Sequence, residues 1–76
     1  MPGPDGMAVV LFDSVQAAIQ AEHAARAEGI VAKLIPVPRH LSADCGMALR
    51  IPRSEALQVR ALLERLGIPY RTVQSL

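Results

Sequence analysis

Residues 7–12, Met-Ala-Val-Val-Leu-Phe, form a short unbroken apolar run between Gly6 and the polar pair Asp13-Ser14. A run of that length, with Val9 and Val10 at its centre, predicts a buried strand rather than a helix. Asp13 and Ser14 are good helix N-caps, and the alanine-rich stretch after them has high helix propensity. A helix over 15–28 is expected, closed by Gly29. Its inward stripe reads as Val15, Ala18, Ala21 and Ala25, with Ile19 and Glu22 at the margins and Glu22 on the exposed side. Small residues in that stripe let the helix lie close on a sheet.

A second strand follows over 30–35, and Pro36 is expected to halt it, because proline has no N–H to give to a ladder. Residues 46–51 alternate: Met47, Leu49 and Ile51 against Ala48 and Arg50. That is the pattern of a strand with one face buried and one open, with Arg50 solvated on the open side. Ala56, Val59, Leu62, Leu63 and Leu66 then form a helical stripe over 54–66. Gly67 stops this helix and Pro69 keeps it from resuming. Residues 70–74 alternate weakly and predict an edge strand.

The order β-α-β-β-α-β repeats one cadence twice, since Gly29-Ile30 and Gly67-Ile68 follow their helices in matching positions. Two such halves fold most simply as an α+β ferredoxin-like sandwich, an antiparallel sheet with both helices on one face. Right-handed crossovers give the strand order 4-1-3-2. The second sheet face is then expected to be open. An open sheet completed by a second subunit, a homodimer, is the alternative arrangement.

Composition narrows the function classes. The chain has 76 residues, half of them apolar, so one domain over 7–76 is expected, with residues 1–6 as a Pro/Gly-rich flexible tail. Phe12 and Tyr70 are the only aromatics, and the core must be built from Ala, Val, Leu and Ile. A net charge of +1 with scattered arginines argues against a nucleic-acid surface. RNA recognition by stacking on the sheet fails for want of aromatics. No apolar run approaches a membrane span, and the first residues lack the basic-then-apolar pattern of a secretory signal. One cysteine forms no internal disulfide, and a reducing cytoplasm is the expected location.

Candidate chemistry gathers in the connection between the second and third strands. Pro36, Pro38, Arg39, His40, Ser42, Asp44, Cys45 and Gly46 all lie there. The thiolate is the reactive form of Cys45; Arg39, His40, Arg50 and Arg53 are near enough in sequence to favour it, while Asp44 opposes it. Gly46 permits a positive φ and leaves one side of the sulfur uncovered. Pro36 and Pro38 stiffen the path into the turn, and Ser42 and Asp44 are turn formers. The competing reading makes Cys45 a small apolar residue packed at a strand start, the commoner fate of a lone cysteine. Zinc needs about four ligands, and His40 with Cys45 supplies two at most, so no metal site is expected within one chain. No resolving cysteine supports dithiol exchange, and no Gly-rich cradle supports a nucleotide cofactor. His23, within the first helix, is read as solvated.

The stretch Ile35-Pro36-Val37-Pro38-Arg39, then Leu41-Ser42, then Cys45-Gly46-Met47-Ala48-Leu49-Arg50 resembles the signature of the selenium/sulfur carrier-like family of small prokaryotic proteins. Ala21-Glu22, Gly29-Ile30 and Gly67-Ile68 fit as well, so the likeness runs from residue 7 to about 73. The resemblance implies that Cys45 carries sulfur or selenium as a persulfide or perselenide. It implies a donor such as a cysteine desulfurase-type protein and an acceptor enzyme, and a carrier rather than a turnover enzyme. The alternative is a ferredoxin-like module that binds a protein or small ligand, with Cys45 structural.

Overall fold

The computed structural model describes residues 6–37 and 46–75. Along the chain these residues form β1 (Met7–Leu11), α1 (Val15–Ala27), β2 (Lys33–Pro36), β3 (Met47–Pro52), a 3-10 turn (Arg53–Glu55), α2 (Ala56–Leu66) and β4 (Thr72–Ser75). The strands make one sheet in the order β2-β3-β1-β4, which read from its other edge is 4-1-3-2. Each neighbouring pair is antiparallel. This is a small α+β sandwich compatible with the ferredoxin-like fold, as the element order implies.

Local chemistry sets the helix ends. The Ser14 hydroxyl accepts from the Ala17 N–H at 3.1 Å, satisfying one of the donors that a helix start leaves over. Both helices end in the same way. Gly29 (φ 80) follows α1, with the Ile30 N–H donating to Ala25 O at 3.0 Å; Gly67 (φ 72) follows α2, with Ile68 N–H donating to Leu63 O at 2.9 Å. A left-handed residue after the helix and a reach back across it is the Schellman arrangement. Ile30 and the partly buried Ile68 then pack into the core, so each cap also redirects the chain onto the sheet.

The core between sheet and helices is built from Ala8, Val10 and Phe12 of the first segment, Leu49 and Ile51 of β3, Ala18, Ala21 and Ala25 of α1, and Val59 and Leu63 of α2. The inward arc of α1 is rotated from the expected one. Ala17 is buried, whereas Val15 and Ile19 are exposed, and Leu66 at the end of α2 is exposed too. Periodicity locates a stripe only to within a residue or so of rotation, and here close packing of alanines decides it. Glu22 departs from expectation in the other direction: its side chain is only 18% exposed and pairs with Arg26 at 3.5 Å, one helical turn on.

Two strand limits differ as well. The β2 ladder begins at Lys33 and includes Pro36, which is paired with Met47. The ladder goes on past the proline, because the Val37 N–H donates to Gly46 O at 3.1 Å. Successive N–H groups of a strand point to opposite sides, so the position of Pro36 on this edge strand points its missing donor outward, where no partner is needed. β4 starts at Thr72 rather than at residue 70; Tyr70 instead packs half-buried against the core, its hydroxyl accepting from Arg60 Nε at 3.2 Å and donating to Glu64 Oε2 at 2.7 Å. The Tyr70 hydroxyl raises the pKa of Arg60 above its ordinary value.

The second sheet face is not wholly open. Val9, Leu11 and Ala48 are buried there as a cluster of their own, with Ile35 and Val37 half-buried against them. Alternation in the central strands puts apolar side chains on both faces, the pattern of strands covered on both sides. Arg50, expected to be solvated on this face, is half-buried. At the opposite end of the sheet from Gly46, the Gly6 carbonyl accepts from the Arg53 N–H at 3.0 Å.

Candidate functional site

The hairpin formed by β2 and β3 presents the connection that holds Cys45. Its stem is defined on both sides up to the Val37–Gly46 rung. Gly46 is exposed, with φ 77, and no described atom lies within 4 Å of where a Cβ would stand. A left-handed residue at the head of β3 turns the chain into the ladder, and glycine adopts that conformation at least cost. Cys45 is covalently next to it. Pro36 is exposed on the opposite side of the stem. Two of the expected site residues, Pro36 and Gly46, are therefore brought to one end of the sheet. Pro38, Arg39, His40, Ser42, Asp44 and Cys45 lie outside the described residues.

Of the cations expected near the cysteine, Arg50 and Arg53 are among the described residues. Arg50 is four residues along β3 from Gly46, about 13 Å at the rise of an antiparallel strand. Arg53 lies beyond the far end of β3, with its guanidinium over Gly6.

Among the described residues no three His, Cys, Asp or Glu side chains gather in a way that could hold a metal ion. No described helix is long and apolar enough to cross a membrane. A cleft of about 540 Å³ lies on the helical layer, lined by Ile19, Gln20, His23, Ala24, Leu66 and Ile68. The exposed Ile19 and Leu66 form its apolar walls, and His23 is its one titratable side chain. The arrangement lacks the converging polar groups of a catalytic site.

One pairing escaped the sequence reading. Lys33 stands directly across the ladder from Arg50. The signal was present as two outward positions in consecutive strands, but the register that joins them depends on how the intervening connection closes.

Comparison with family models matches residues 7–74 to the family described as "Putative Se/S carrier protein-like". Comparison with curated proteins and with solved structures returned no match. The match takes in β1 to β3, both helices and β4 up to Gln74, together with the Pro-x-Pro-Arg and Cys-Gly elements, and the chain belongs to the Se/S carrier protein-like family.

Proposed function

We propose that this chain carries a single sulfur or selenium atom on Cys45, as a persulfide or perselenide, and passes it to an acceptor protein in a reducing cytoplasm. In the sulfur case, the Cys45 thiolate attacks the terminal sulfur of a donor protein's persulfide. A new S–S bond forms to Cys45, the donor's S–S bond breaks, and the donor cysteine leaves as a thiolate. No net oxidation occurs, since the sulfane sulfur arrives already at its oxidation level. Release to the acceptor reverses the roles: a nucleophile on the acceptor takes the terminal atom and the Cys45 thiolate is regenerated. In this reading Arg39 favours the anionic sulfur, His40 assists, and Pro36, Pro38, Ser42 and Asp44 shape the docking turn.

The observation that carries the reading, alongside family membership, is the setting of Gly46. The residue bonded to the chain's only cysteine is exposed at the end of a defined two-stranded stem, with no described atom within 4 Å of where a Cβ would stand. A carrier needs such a tip, because donor and acceptor must reach the same atom in turn. The test is intact mass after incubation with a cysteine desulfurase and either cysteine or selenocysteine as donor. The wild type gains one sulfur or selenium, and Cys45→Ser gains none. Added mass on Cys45→Ser, or none on the wild type with either donor, overturns the reading.

A further inference from the structure

The four strands contain two charged side chains, Lys33 and Arg50, and they are cross-strand partners. Both occupy the face turned away from the helices. Their strand neighbours Leu34 and Leu49 belong to the helix-side core, while Ile35 and Ala48 belong to the cluster on the other face. Like charges directly opposite one another destabilise a sheet. Neither side chain enters an ion pair with a described residue. The Arg50 Nε is also hidden from solvent without a hydrogen-bond partner, a second unrelieved cost.

A carboxylate placed between the two cations relieves that repulsion. The guanidinium fork takes a carboxylate in bidentate fashion, and the Lys33 ammonium supplies the opposite charge from the other strand. Lys33 is exposed on the edge strand β2 beside the half-buried Ile35, an open edge suited to a protein segment rather than to a small molecule held in a cavity. A second copy of this chain docking face to face on this corner would set cations against cations. We propose that the Lys33–Arg50 corner is a docking point for an acidic segment of a partner protein, whose Asp or Glu carboxylate bridges the two cations. The assignment stands whether or not Cys45 carries sulfur.

The test is an NMR titration of the ¹⁵N-labelled full chain with a short synthetic peptide of alternating Glu and Val, with its Lys-Val counterpart as control. The Glu peptide shifts the amides of Lys33, Ile35 and Arg50, and added salt weakens it. Lys33→Glu, at an exposed position, keeps the fold and raises the Kd at least tenfold. In the free protein, Lys33→Gln raises Tm at low salt, and the gain shrinks at high salt as the repulsion is screened. Shifts confined to other surfaces, an equal response to the Lys peptide, binding unaffected by Lys33→Glu, or no Tm gain in Lys33→Gln overturns the proposal. So does concentration-dependent self-association that Lys33→Glu abolishes.

Discussion

The Val37 N–H donates to the Gly46 carbonyl at 3.1 Å, one step beyond the Pro36–Met47 pair. That bond carries the β2-β3 ladder past a proline and fixes the two chain ends between which Pro38 to Cys45 must run. Gly46, the residue bonded to Cys45, is thus held in a register set by the sheet. Pro36 stiffens one side of the stem, and Gly46, left-handed, sets the angle of the other.

Gly46→Ala tests that angle. No described atom obstructs a Cβ, and the backbone strain of an L-residue held left-handed costs about 1–2 kcal/mol. In a domain of this size each kcal/mol lowers Tm by about 4–8 °C. Gly46→Asn, which tolerates the conformation better, is expected to lose about half as much in the same thermal melt. An unchanged Tm for the alanine variant would mean that the left-handed turn is not maintained in solution.

Ser14→Ala removes the one side-chain cap seen on α1 and leaves the Ala17 N–H to water. The expected loss is about 1 kcal/mol, read as a lower midpoint in urea with an unchanged slope. Ser14→Asp restores an acceptor at the same place and returns most of the stability.

These caps show what was legible in the sequence. Ser14 acts through its hydroxyl, and Gly29 and Gly67 through their own backbones, each on near neighbours, so one stretch of sequence is enough to read them. Pro36 was misread because its effect depends on which side of β2 is paired, a property of the sheet. Val15 and Leu66 were placed inward because periodicity does not fix the rotation of a helix about its axis; contact between alanines and the sheet does. Lys33 and Arg50 meet only through the hairpin register. At the proposed site, Cys45, Arg39 and the turn formers were legible as chemistry, while Pro36 and Gly46 alone are placed by the described structure.

Arg39→Gln tests the proposed role of that cation. A positive charge beside a thiol favours the thiolate, and removing it disfavours the reactive form. The expected result is a roughly tenfold slower alkylation by iodoacetamide at neutral pH. The deficit should disappear as pH rises and the thiol ionises fully in both proteins. Equal rates across the pH range would leave Arg39 without a part in activating Cys45.

Phe12→Ala asks how much of the fold one side chain holds. Phe12 is fully buried, the bulkiest member of a core otherwise made of aliphatic residues. Its removal costs about 3–5 kcal/mol, transfer and cavity together. A domain under 80 residues holds about that much in total. The alanine variant is therefore expected to be largely unfolded at 25 °C by circular dichroism, whereas Phe12→Leu, which fills part of the space, stays folded with a lower Tm. The opposite change on the facing helix makes the complementary case. Ala21 is fully buried where α1 lies on the sheet, and Ala21→Leu forces a branched side chain into a contact built for a methyl group. Overpacking of that kind costs about 1–3 kcal/mol. Combining Phe12→Ala with Ala21→Leu distinguishes a shared space from two separate ones. Both residues belong to one buried cluster, so the leucine is expected to fill part of the cavity and the double variant to be more stable than the sum of the singles allows. Strict additivity in the denaturation midpoints would mean that helix and strand do not share that volume.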